Sequence, residues 1–506
     1  MIPLKAIKAP LTVAAIALSL AAIDRAEAAE GSIYVAQSVD PATLDPMQNI
    51  AAQSLNVFQN VFEQLTRIGT DGSLEPLLAE SWDVNDDATV WTFKLNTGST
   101  FHNGEPVTAD DIIYTYETII NNPGAPAAGY LKAVEKVEKI DDTTIRFTLN
   151  QPYAIFGRQV SLIFIVPKKA YEEMGPEAFS TKPIGSGPFK VEEWVKDDHI
   201  TLTANEDYWK GAPKVAEVQF IPMPSEPARA AALASGEIDI VPLLPPPLVD
   251  SLSSQSGIKI DKVESNRVVF AGYVPDDGPL GNEKIRKAID YSIDRKAITE
   301  RLLRGLGNPI GQIAPPVTFG YDPSVEPTPY DPEKAKALLA EAGYDGTPIK
   351  YMFPTNRWAF ATQSAQAIAG YMQQAGINVE MEPMDYAAYL PMWINNTLEG
   401  MYMFSLGISI LDADLILGLE YESEKSHGYW FSDELDALAK EQRATADQEK
   451  RQAAISKIWQ ISNEKALFSP IYVEVQAYGV RDCVTAWEPR ADERLNFAEA
   501  AATCEH

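Results

Sequence analysis

A chain of 506 residues is too long for a single hydrophobic core and predicts about three domains. Its 71 Asp and Glu outweigh 42 Lys and Arg, a formal net charge of −29, which argues against partners that reward a basic surface, such as nucleic acid or anionic lipid. The four histidines, His102, His199, His427 and His506, are scattered without ligand spacing, so no metal centre is expected from them.

From the N-terminus, residues 1–28 read as a secretory signal peptide. Lys5 and Lys8 supply the positive region, Leu11 to Ile23 the apolar run, and Ala26-Glu27-Ala28 the small-residue cleavage site. The apolar run is shorter than the roughly 20 residues a membrane span needs, so cleavage and export are expected. Thr89 to Leu95 alternates, with Trp91, Phe93 and Leu95 on one side, which predicts a half-buried strand ending at the turn residues Asn96 to Ser99. Thr108 with Asp111 three positions later forms a capping-box pattern for a helix running to Ile120. Gly185 and Gly187, beside Pro188, are expected to let the backbone turn sharply before a strand. Ile285, Ile289 and Ile293 line one helical face, and Asp294 caps the next helix. Asp331, Pro332 and Gly343 delimit another helix, and Ala361 to Ala375 a further one closed by Gly376 before an alternating strand. Alternating helices and strands predict an α/β lobe. Cys483 and Cys504 are expected to bridge in an exported protein, tying down the tail with about 3 kcal/mol.

The string WTFKLNTGSTFHNGEPVTADDIIY, from Trp91 to Tyr114, resembles the signature segment of the family 5 extracellular solute-binding proteins, the peptide- and nickel-type binding proteins of ABC importers. Phe101, Asn103, Gly104, Pro106, Thr108, Ala109, Asp111 and Ile112 fill that pattern, with Asn96 where Arg is commoner. Lys182–Trp194, Asn205–Phe220, Gly236–Ile240 and Lys284–Ile298 are similar to later segments of the family, so the resemblance covers essentially the whole mature chain. It implies two lobes of a periplasmic-binding-protein fold (class II-like) with an extra domain and a hinge of crossing strands. Lobe 1 would comprise residues 29–64, 183–267 and 471–506, the extra domain 65–182, and lobe 2 residues 268–470.

The resemblance also implies where a ligand would sit. Gln53 and Asn56, in the helix after the first strand, are candidate hydrogen-bonding groups. Peptide-binding members grip the ligand carboxylate with an Arg at a position occupied here by Thr355; Arg357 lies two residues on, with Trp358 beside it as a stacking face. Tyr386 falls where the family often has an aromatic wall. Peptide binders then carry a Trp wall and an Asp that holds the ammonium. Leu406 stands at the Trp position and Ser409 at the Asp position, unless a gap of one to three residues moves Asp412 into that role. Without the Asp, a free ammonium loses a charge-assisted hydrogen bond of about 1.5–3 kcal/mol.

No catalytic constellation is present: Gly185-Ser186-Gly187 lacks the G-x-S-x-G spacing of a nucleophile elbow, and the glycine-rich run Gly305 to Gly311 is read as a loop. The expected protein is therefore not an enzyme and needs no cofactor. It is a monomeric periplasmic binding protein that closes on a small peptide-like solute and delivers it to an ABC permease. An opine- or sugar-containing anion in the same fold is the alternative ligand. A secreted hydrolase using paired carboxylates is the alternative of another class.

Overall fold

The computed structural model describes residues 29–275, 278–355, 357–423, 429–430 and 432–506. The expected signal peptide, the Asp276-Asp277 pair, Asn356 and His427 lie outside the described residues.

Two long strands, Ile258–Tyr273 and Phe468–Arg481, run antiparallel through the middle of one large sheet and belong to both halves of the molecule. Beside one half of this pair lie Ile240–Val241, then Ser32–Gln37 and Glu217–Pro222 in parallel, then His199–Ala204 and Phe189–Val195 in antiparallel. Beside the other half lie Met401–Gly407, antiparallel to the first crossing strand, and then Ile349–Thr355 and Val379–Asp385 in parallel. The crossing strands pair continuously from Ile258 to Glu264 and again from Val268, with a register shift between the two runs. Such an irregularity bends a strand and re-aims its side chains. Here it falls where the two halves meet, at Ser265, Asn266 and Arg267.

The second half has a core on each face of its sheet, and strand periodicity assigns the residues. Val268, Phe270, Tyr402 and Phe404 enter one apolar cluster, whereas Val269, Ala271, Tyr273, Met401 and Met403 enter the other. Two arginines of the Lys284–Ile298 segment close the second face. Arg286 donates to the carbonyls of Ala466, Leu280 and Lys465, and Arg295 to those of Pro470 and Asp290.

The signature segment forms the strand Val90–Leu95 within a four-stranded antiparallel sheet. Trp91, Phe93 and Leu95 are buried, as their alternation predicts. The capping box closes as expected: the Thr108 hydroxyl accepts from Asp111 N–H, and the Asp111 carboxylate accepts from Thr108 N–H, opening the helix Ala109–Ile120. The apolar cluster under this sheet is continuous with that of the first half, joining Phe93 and Phe147 to Val35, Phe58 and Phe497. The run at Gly305 to Gly311 departs from the expected loop. Gly307–Pro309 forms a short strand on the second crossing strand, opposite Tyr472 to Glu474.

The C-terminal segment returns to the first half. Asn60 donates to Leu495 O at 2.8 Å and accepts from Phe497 N at 2.9 Å. Cys483 and Cys504 are disulfide-bonded across a separation of 21 residues. Reduction, or replacement of both by serine, is expected to cost about 3 kcal/mol, read as a lowered urea midpoint in dithiothreitol. An unmoved midpoint would show that the tail holds without the bridge.

Candidate functional site

Several of the family-like segments build a support rather than a binding surface. Helix Ala52–Val61 is followed by its cap Phe62 and then Glu63, whose Oε1 accepts from the Tyr208 hydroxyl and from Trp209 Nε1, both at 2.9 Å. Burial pushes the Glu63 carboxyl up to about 7. Gly185 and Gly187 lie against the same helix end, where a Cβ would stand 1.9 Å and 2.7 Å from the carbonyl oxygens of Val61 and Asn60 respectively. Neither glycine has a positive φ. The requirement is thus close backbone approach, not the sharp turn that the sequence suggests. His102 locks this segment: its Nδ1 accepts from Gly185 N–H at 3.2 Å, so Nε2 carries the proton and donates to Gly187 O at 3.0 Å. Burial lowers the His102 pKa to about 4, which keeps the ring neutral.

The candidate binding site lies between the two halves, where the crossing strands change register. A cavity of about 470 Å³ opens there, within the range of small-ligand pockets. Its floor is the second crossing strand from Tyr472 to Ala477. One wall is the apolar loop Leu243 to Pro246, from the first half. Facing it from the second half are Arg357, Trp358 and Phe360 at the start of helix Ala361–Gln374. Leu243 and Phe360 both hold positive φ, 57° and 61°. Non-glycine residues in this conformation are strained and collect at ligand clamps. Leu243 is also 49% exposed, which is unusual for so apolar a side chain and places it at the cavity's edge.

The polar groups of this cavity come from three distant segments. Arg267, carried on the irregular stretch of the first crossing strand, binds Glu493 Oε1 through Nε at 2.7 Å; Gln476 donates to the same oxygen at 2.7 Å. Glu474 accepts from the Ser405 hydroxyl at 3.0 Å. Burial raises the Glu474 pKa, and the like charge of Glu493 adds to this, while Arg267 and Arg357 oppose it. The Arg267–Glu493 pair also borders a second, smaller cavity of about 170 Å³, whose wall includes Leu55, Ser409 and Arg494.

The residues singled out from sequence divide between these places. Arg357 and Trp358 line the larger cavity. Tyr386 does not line it; its ring carries the Arg357 guanidinium at 4.9 Å, a cation–π contact that positions the arginine. Ser409 lines the smaller cavity. Leu406 lies on the opposite face of its strand from Ser405 and packs into the second half's core, so Ser405 reaches the cleft instead. Asp412 is fully buried, with its carboxylate taken by Arg451 at 2.8 and 3.1 Å and by Arg158 at 3.6 Å. It lines neither cavity, because those arginines leave it no open side. Gln53 bonds Ser38, and Asn56 accepts from Leu495 N; neither lines the cavities. Arg267, Glu474 and Glu493 were not legible as site residues, since the pairing of strands some 200 residues apart and the docking of the tail on Asn266 and Arg267 bring them together.

Asp239, Cys504 and His506 cluster with metal-ligand chemistry, but Cys504 is spent in the disulfide, and Asp239 is bound by Arg481, His506 and Tyr34 N–H. No helix among the described residues is long and apolar enough to cross a membrane.

Comparison with known proteins places this geometry in a lineage. The profile described as bacterial extracellular solute-binding proteins, family 5 middle, matches residues 73–427. Heme-binding protein A of Haemophilus influenzae is 31% identical over 379 residues, 67% of this chain and 69% of that protein. Di/tripeptide-binding protein 1 of Pseudomonas aeruginosa is 28% identical over 472 residues, 85% of this chain and 87% of that protein. The structure of HbpA2 from Haemophilus parasuis superposes with a TM-score of 0.86 at 22% identity, over 94% of this chain and 100% of that one. A two-lobed α/β architecture, a cleft at the crossing strands and a match across most of the sequence together make this chain a member of the family 5 bacterial extracellular solute-binding proteins.

Proposed function

We propose that the protein is the periplasmic solute-binding component of an ABC importer, capturing a peptide-like solute with an anionic group between its lobes and passing it to a permease. The observation that carries this reading is the cavity of about 470 Å³ enclosed by both lobes, with the Arg357 guanidinium beside an apolar wall. A planar guanidinium suits a carboxylate, and an apolar wall suits a side chain or acyl group. Closure of the lobes about the crossing strands would bury the solute. Relatives named for di/tripeptide and heme binding are in keeping with an organic solute of this kind.

The ammonium end of a plain dipeptide is poorly provided for. Ser409 stands at the expected acid position, Asp412 is taken by Arg451, Glu493 by Arg267, and burial of Glu474 disfavours its charged form. Modified peptides or conjugates lacking a free amine are therefore the preferred ligands, and burying an unpaired ammonium would weaken a dipeptide. Mass spectrometry of solute released from the purified protein is expected to find such a molecule, chemically unchanged. Arg357→Ala should weaken its calorimetric binding by about 1.5–3 kcal/mol. Tight binding of plain dipeptides, undiminished in Arg357→Ala, would overturn the ligand assignment, and recovery of a converted product would favour a hydrolase.

A further inference from the structure

We infer that the smaller cavity is a second anion subsite, in which Arg494 holds a carboxylate on an arm of the solute; this rests on the solute-binding reading above. Three of the buried arginines among the described residues show what a partnered guanidinium looks like in this fold. Arg286 is surrounded by carbonyls, Arg295 binds Asp290, and Arg451 binds Asp412. Arg494 differs: its Nη1 is buried with no hydrogen-bond partner, and no ion pair to it exists among the described residues. The acids flanking it in sequence are engaged elsewhere. Asp492 is held by Arg490 through Nε at 2.9 Å and Nη2 at 2.6 Å, and Glu493 by Arg267 and Gln476. Burial lowers the Arg494 pKa, and the nearby charges of Asp492 and Glu493, both already bonded to other arginines, only partly oppose this.

A second polar atom in the same cavity lacks a partner. Asn266, 5% exposed, donates through Nδ2 to Ile408 O at 3.3 Å, while its Oδ1 is buried and unmatched. Asn266, Arg494, Ser409 and Tyr130 all line this cavity. An unpartnered guanidinium donor and an unpartnered acceptor together suit a group with a carboxylate next to an N–H, as at the end of a peptide-like chain. About 170 Å³ accommodates such an arm but not a whole dipeptide. Because Arg267 and Glu493 border both cavities, a solute whose body fills the larger one can place its arm in the smaller one. With Arg357 in the first and Arg494 in the second, the solute class is a peptide-like molecule with two carboxylates.

The probe is N-acetylglycine, which carries the inferred amide and carboxylate, with N-acetylglycinamide as its uncharged control. Thermal melts and calorimetry at fixed ionic strength are expected to show stabilisation by the acid and not by the amide. Arg494→Gln should lose at least ten-fold in affinity for the acid. Ligand-free Arg494→Met should melt at or above the unaltered protein, because it removes a buried donor with no partner; loss of a purely structural arginine would lower the melting temperature. No carboxylate-dependent stabilisation, equal binding within two-fold in Arg494→Gln, or failure of both Arg494 variants to fold would overturn the inference. Stabilisation lost only in Arg357→Ala would also overturn it and leave the import reading standing.

Discussion

Asp412→Ala is expected to destabilise the protein by about 3–5 kcal/mol, the cost of stranding one partner of a buried ion pair. The Asp412 side chain is fully inaccessible, Arg451 grips both of its oxygens, and Arg158 approaches the same carboxylate. Arg158 in turn donates to Gly72 O and Ile410 O, so the cluster fastens the region of the signature sheet to lobe 2. Removing the carboxylate leaves two guanidinium groups without their shared counter-charge. Urea unfolding should therefore show a large fall in midpoint, while ligand affinity of the folded fraction stays within two-fold. The reverse pattern, intact stability with lost binding, would return Asp412 to the role of ammonium partner.

Glu63→Gln should make the protein more stable at neutral and alkaline pH, by about 3 kcal/mol at pH 8. Oε1 of Glu63 accepts two hydrogen bonds that an amide oxygen can also accept, while burial raises the carboxyl to about 7. In the unfolded chain this group ionises near the ordinary glutamate value, about 4.3. Below that value both states are protonated. Between there and pH 7 the unfolded chain releases its proton and the folded one keeps it, so stability falls as pH rises and then levels. The glutamine variant lacks this loss. Comparing the two proteins from pH 4.5 to 8 cancels other titrations, including that of His102. The neutral His102 ring, with its pKa depressed to about 4, contributes in the opposite sense: its stability is full above about 6.5 and is lost as pH falls toward 4. A difference between the two proteins that is flat with pH would overturn the assignment of Glu63 as a buried, protonated acid.

Local chemistry made much of the fold legible. The capping box at Thr108 and Asp111, the alternation from Val90 to Leu95, and the helix between Asp331 and Gly343 each depend on residues a few positions apart. Gly343 takes the left-handed φ of 67° that its place after the helix suggests. The site was less legible, for a reason of distance. Arg357 and Trp358 reach the cavity, but Arg267 and Glu474 are brought to it by the pairing of the crossing strands with a register shift, and Glu493 by the returning tail. No local pattern announces that shift. Leu406 shows the finer limit: a step of one residue along a strand exchanges the cleft face for the core face, so Ser405 occupies the position that alignment gives to its neighbour.

The joining of Asn60 to Leu495 and Phe497 spans 435 and 437 residues of sequence. Ser32–Gln37, near the beginning of the described chain, likewise sits one strand from Phe468–Arg481, near its end. This half of the sheet is thus held by contacts far apart in sequence, and its contact order is high by construction. Loops of this length must close before their contacts give any return, so nucleation is slow. The Arg267–Glu493 contact of the cleft likewise joins residues 226 positions apart, so it depends on the same long-range closure.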